Sequence, residues 1–199
     1  MLHRNSQKRI YIDDATYFIT TTTKNRVAFF KEKIFCDLLI EELKICKDIF
    51  KFYLYAFVIL DNHLHLLLKP KTAKDLSKIM HFLKRNSSRN INRIIESDTP
   101  RPEGEDDHPR LQGGFQSIEQ KIKIFQKQFL QKYNQNSKFF PPFQWQKSFL
   151  DHFIRNQKDF KNHLLYIHQN PEKHGITKNY EQYKYSSLNA EFQAWIDQS

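Results

Sequence analysis

The sequence predicts an α/β (α+β) fold in which a mostly antiparallel sheet carries helices packed on one face. Three observations predict it. Residues 57–70 read as two apolar strands joined at a short polar turn, Asp61-Asn62, so they pair as a hairpin. Tyr17-Phe18-Ile19-Thr20-Thr21-Thr22-Thr23 is dense in β-branched and aromatic residues, as a first strand should be. Residues 31–50 and 74–95 instead place apolar side chains at helical spacing.

In order, residues 1–13 form a polar, basic arm with Arg4, Lys8 and Arg9. Ile34, Phe35, Leu38, Leu39, Ile45 and Ile49 make one stripe on the first helix. Phe52 to Leu60 and His63 to Lys69 are the hairpin strands, the latter ended by Pro70. In the second helix Leu76, Ile79, Met80, Leu83 and Ile94 form the buried side, while Lys78, Arg85, Arg89 and Arg93 line another. Such a stripe is most often a solvated helix face; phosphate tracking is the second reading. Residues 96–116, with three prolines, clustered acids and Leu111 as the one large aliphatic, read as a flexible insertion. A further helix is expected at about 117–135, and an extended segment at 148–154. Asn156 is a plausible N-cap for a helix over 157–170, which Pro171 should stop. A last polar helix follows Tyr185-Ser186-Ser187. The whole of 1–199 is read as a single domain.

Lys and Arg number 32 against 22 Asp and Glu, a formal charge of +10. Residues 96–114 alone hold six acids and two bases, so the remainder has 30 basic against 16 acidic residues. A partner with phosphates fits that balance. Cys36 and Cys46 are the only cysteines and share one helical pattern, which speaks against a disulfide framework or zinc ribbon and fits a cytoplasmic, reducing setting. No segment has the apolar length to span a membrane.

His63 and His65 are two residues apart, so on a strand both imidazoles leave the same face, with Leu64, Leu66 and Leu68 on the other. Such a pair can hold one divalent ion from one side and leave its other positions open. An ordinary pair of surface or packed histidines is the plainer reading of this motif alone. On the helix over 157–170, Phe160, Leu164 and Ile167 form the core side. At roughly 100° per residue, Tyr166 and Asn170 fall about 40° apart on one flank of it. Together they could bring a phenol nucleophile and an amide oxygen ligand to a metal on an adjacent strand. Equally, Tyr166 could be a half-buried structural tyrosine and Asn170 a cap before Pro171. His163, His168 and His174 read as surface or structural.

The run Phe57-Val58-Ile59-Leu60-Asp61-Asn62-His63-Leu64-His65 resembles the His–hydrophobic–His (HUH) signature of single-tyrosine transposases. Trp145-Gln146, Asp151-His152-Phe153-Ile154-Arg155-Asn156 and Tyr166-Ile167-His168-Gln169-Asn170-Pro171-Glu172-Lys173-His174-Gly175 resemble a second signature, that of the REP-associated tyrosine transposases. Matching elements run from about Tyr17 to Ser187, interrupted over 96–142. Asp61 stands where the family usually has proline, and the acidic insertion has no counterpart. The resemblance implies a ferredoxin-like, RRM-like HUH palm with His63, His65 and Asn170 as metal ligands and Tyr166 as nucleophile. It implies Mg²⁺ or Mn²⁺, although imidazoles by themselves suit zinc. The implied reaction is cleavage and rejoining of single-stranded, hairpin-forming DNA through a 5′-phosphotyrosine, by a monomer or homodimer, with Lys78, Arg85, Arg89 and Arg93 as nucleic-acid contacts. A phosphodiesterase using water at the histidine pair, or a binding protein that has lost its chemistry, are the competing readings.

Overall fold

The computed structural model describes residues 12–95, 114–133 and 140–198. The expected N-terminal arm lies almost wholly outside these residues, as does most of the acidic insertion.

The sheet has four strands: β1 (Tyr17–Thr22), β2 (Tyr53–Leu60), β3 (His63–Lys69) and β4 (Leu150–Phe153), in the order β2-β3-β1-β4, with every pair antiparallel. Helix α1 (Lys33–Phe50) connects β1 to β2, and α2 (Asp75–Ile95) follows β3. Up to β4 this is the β-α-β-β-α-β arrangement of ferredoxin-like folds. Helix α3 (Gly114–Lys132) is inserted between α2 and β4, three residues earlier than the spacing suggested, and α4 (Gln157–Lys173) follows β4. The polar C-terminus closes as a 3₁₀ turn, Ala190–Trp195.

The pleat divides the interior in two. Tyr17, Ile19, Phe57, Ile59, Leu64, Leu66 and Leu68 point to the larger core, which α1, α2 and α3 cover. Ala56, Val58, Leu60 and Leu67 point the other way and meet Phe160 and Ile167 of α4. A register shift between Leu54 and Ala56 lets both Leu54 and Phe57 reach the larger core, although they are three residues apart. Helices therefore cover both faces of the sheet, where the sequence had suggested one. Strand β2 is apolar on both sides, and this second apolar surface is what α4 buries.

Pro171 does not stop α4. The helix runs two residues further to Lys173, with the His174 amide donating to the Asn170 carbonyl (3.0 Å). A proline in the last turn forfeits only its own N–H bond, and Pro171 is buried. Its carbonyl accepts from the Ile176 amide at 2.8 Å, so it anchors the following turn.

Polar contacts from α2 fix the approach to β4. The Asn92 side chain accepts from the Phe143 amide (2.6 Å) and donates to its carbonyl (3.1 Å). Trp145 Nε1 donates to Ser87 Oγ (2.9 Å), and Lys84 Nζ donates to the Gln146 and Ser148 carbonyls. On the opposite edge, the Ile59 amide donates to Tyr185 and the Ser187 amide to Phe57, so the C-terminal segment covers β2.

Helices α1 and α2 also share an unusual acid. Glu42 is 2% exposed and accepts a hydrogen bond from Asn90 Nδ2. Burial raises its pKa to about 7, against the lowering effects of the Asn90 bond and the Arg89 charge. The folded state therefore holds this proton more tightly than the unfolded chain does. The resulting stability is complete below the ordinary value of 4.5 and is lost as pH rises through 7. Glu42→Gln mimics the protonated form. It should leave stability near-unchanged at about pH 4 and raise it by up to about 3 kcal/mol at about pH 8, read from urea midpoints across that range.

Candidate active site

Strand β3 alternates between the two faces, and His63, His65 and Leu67 share the side that faces α4. Antiparallel register sets Thr22 opposite His63 and Thr20 opposite His65. Each imidazole is oriented through one nitrogen. His65 Nδ1 pairs with Thr20 Oγ1 at 2.8 Å, and His63 Nδ1 with Asn62 Oδ1 at 2.7 Å. Since Asn62 Oδ1 can only accept, His63 Nδ1 carries the proton and Nε2 the lone pair. His65 is 3% exposed, and its Nε2 is a buried atom without a hydrogen-bond partner. The two rings lie edge to face, 4.8 Å apart.

Both histidines are held neutral. Burial, then the neighbouring His174 and Arg26, brings His63 down to about 4. Burial, then His63 and His174, brings His65 down to about 3. Neutral imidazoles have a free lone pair at pH 7, which is the state a metal ligand needs.

Helix α4 starts at Asn156, whose side chain accepts from the Asp159 amide at 2.9 Å. Phe160 and Ile167, one heptad apart, sink into the smaller core and fix the rotation of the helix. Tyr166 then stands at the rim, 40% exposed, with its ring 5.5 Å from that of His65 and 5.7 Å from that of Phe18. Asn170 is 1% exposed and donates from Nδ2 to the Tyr166 carbonyl at 2.9 Å, which reserves Oδ1 as its ligand-capable atom. The structure thus brings Tyr166 against the histidine pair, with Asn170 one turn further along the same helix.

Two further neighbours stand here, one of which, His174, reads from the sequence as surface or structural. The His174 ring is 5.2 Å from that of His63, and Lys173 Nζ is 5.1 Å from the Tyr166 ring centroid. The signal for His174 was present: it continues the four-residue step from Tyr166 to Asn170 by one more turn. His168, by contrast, is structural, with Nε2 3.1 Å from Ser187 Oγ.

The basic stripe of α2 is elsewhere. Lys78, Arg85, Arg89 and Arg93 sit on a helix that covers the sheet face opposite the histidines. Lys78 is exposed and pairs with Asp75 at 3.0 Å. Arg89 is half-buried and donates to Asn86 Oδ1, while Arg93 makes a bidentate pair with Glu119 of α3 at 2.9 and 2.8 Å. Arg93 is therefore occupied in holding α3. Phe143 and Trp145 are buried in the larger core.

The donor set suits a divalent ion. Two neutral imidazoles present Nε2, both fixed from behind by a polar side chain, and one of those nitrogens is an orphan.

The sequence profile described as "Transposase IS200 like" matches residues 11–101. A Haemophilus influenzae protein described as a REP-associated tyrosine transposase is 44% identical over 52 residues, 26% of this chain and 30% of that one. A REP-associated tyrosine transposase of Escherichia coli K12 is 43% identical over 44 residues, 22% of this chain and 27% of that one. The matched stretch thus spans less than a third of either curated relative. Over a longer span, a solved REP-associated tyrosine transposase bound to a REP hairpin superposes with a TM-score of 0.52 at 26% identity, covering 92% of this chain and 82% of that one. The profile match takes in β1 through α2, including the histidine strand, and the fold match extends through α4. Over β1 through α2 the chain is thus similar to IS200-like transposases, and over most of its length to a REP-associated tyrosine transposase.

Proposed function

We propose that the protein cleaves and rejoins single-stranded DNA carrying hairpin-forming repeats, with Tyr166 as nucleophile and His63, His65 and Asn170 as the ligands of Mg²⁺ or Mn²⁺. The observation that carries this reading is the unpartnered, buried Nε2 of His65 in edge contact with the half-exposed Tyr166 ring. A buried polar atom left unpaired costs roughly 1–3 kcal/mol, so a bound ligand is its natural partner.

The phenol oxygen of Tyr166 attacks phosphorus, an O–P bond to the tyrosine forms, and the bond to the 3′ oxygen breaks. The phenol proton leaves to solvent, and the departing oxygen takes one up as a 3′-OH. The 5′ side stays on Tyr166, so a later 3′-OH can attack and reseal without an energy source. A bound divalent ion supplies Lewis acidity toward the scissile phosphate. Lys173, beside the Tyr166 ring, adds positive charge where the phosphate arrives. Lys78 and Arg85, behind the sheet, would meet only backbone that passes around its edge, such as a hairpin stem. In this reading the chain acts as a monomer or as a homodimer.

Incubation of the protein with hairpin-bearing single-stranded DNA and Mn²⁺ should give a covalent adduct that peptide mapping assigns to Tyr166. Tyr166→Phe should abolish both adduct and cleavage. Cleavage at full rate by that variant would instead assign the reaction to a metal-activated water. Thr20→Val removes the hydroxyl behind His65 while keeping the side chain's shape. It should weaken Mn²⁺ binding roughly 10–100-fold by calorimetry, with little change in melting temperature.

A further inference from the structure

A second group of metal-ligating side chains lies beyond Phe18. His152 on β4 and Asp159 and His163 on α4 bring one donor atom each within 4.8 Å of one another. His152 Nε2 is 3.0 Å from Asp159 Oδ2, and His163 Nδ1 is 3.1 Å from Asp159 Oδ1. The two imidazoles stack, with centroids 4.7 Å apart. None of the three belongs to the His63–His65 pair. The Phe18 ring stands between the groups, 5.3 Å from the His65 ring and 4.7 Å from that of His163.

We propose that His152, Asp159 and His163 form a second, structural metal site that takes Zn²⁺ or a similar late first-row divalent ion. Two imidazoles and one carboxylate are the ligand chemistry such ions prefer, and water can complete the shell. The spacing comes from both levels of structure. Asp159 and His163 are four residues apart on α4, so they share one face of the helix. His152 pairs with Phe18 across β1 and β4, on the side of the sheet that faces α4.

Asp159 also accepts from the Arg155 amide at 3.0 Å and from Arg155 Nε at 3.4 Å, and its main-chain carbonyl is 2.9 Å from His163 Nδ1. The Arg155 amide bond, followed by the His152 contact, holds the Asp159 carboxyl well below the usual carboxylate range. In the metal-free protein each imidazole nitrogen facing Asp159 must carry a proton, because every oxygen there accepts. A cation replaces those two protons and satisfies the same carboxylate. Such an ion would tie β4 to the first two turns of α4, one turn ahead of Tyr166, and so set where the helix carries that residue. This goes beyond the function proposed above and does not depend on it.

The test uses the full-length His63→Ala/His65→Ala variant, stripped with chelator, so that only the second group can read out. Zinc titrated against a chromophoric competitor should occupy one site per chain and raise the melting temperature. Adding His152→Gln or His163→Gln should weaken that binding by at least the roughly 10–100-fold that loss of an outer-sphere partner costs. His152 is on the edge strand and 37% exposed in its side chain, so His152→Gln can be made without disturbing α4. Absence of stoichiometric zinc binding in the double-alanine variant overturns the proposal. So does binding of unchanged affinity after both further substitutions, which would assign the zinc to scattered surface histidines.

Discussion

The pleat of β3 is the constraint on which the rest depends. Leu64, Leu66 and Leu68 must go to one side, and that sends His63 and His65 to the other. Each leucine contributes roughly 1.5–3 kcal/mol by leaving water. An unsatisfied imidazole nitrogen costs roughly 1–3 kcal/mol. Three leucines against one orphan nitrogen settle the register, and a one-residue slip would put the histidines into the large core. The strand can therefore keep a costly polar atom buried because its apolar alternation fixes the register with energy to spare.

The placement of α4 follows from the same sheet. Its buried residues, Phe160 and Ile167, meet Val58, Leu60 and Leu67, which are the residues of β2 and β3 that share a face with the histidines. Tyr166 precedes Ile167, so it is rotated by about 100° from the buried line and emerges at the rim. The N-cap at Asn156 and the turn after Pro171 fix the two ends. A phenol half in solvent beside a buried imidazole is thus a geometric result of apolar contacts that take no part in the chemistry.

The alternation of β3, the helical stripes of α1 and α2, and the common flank of Tyr166 and Asn170 were all legible in the sequence. Each depends on residues close together in the chain. Which face of the sheet α4 would cover was not legible. Helical periodicity shows which side of the helix is apolar, but a strand such as β2, apolar on both sides, offers two surfaces and does not choose. The separation of the α2 stripe from the histidines has the same origin. The occupation of Arg93 was hidden because its partner Glu119 lies beyond the acidic stretch, where no local spacing links them. Pro171 was read too strongly: in a last turn it removes one hydrogen bond and leaves the helix free to continue.

The site separates lone pairs from charge. Burial above all, with His174 close by, disfavours protonation of both His63 and His65. At neutral pH this face of the sheet therefore offers His63 and His65 as neutral donors, and the positive charge near them belongs to other residues, Arg26 among them. Lys173, exposed on α4, adds another beside the Tyr166 ring. In the proposed reaction, such a cation on the outer side of the helix draws the phosphate toward Tyr166 while remaining solvated, where a positive charge costs least.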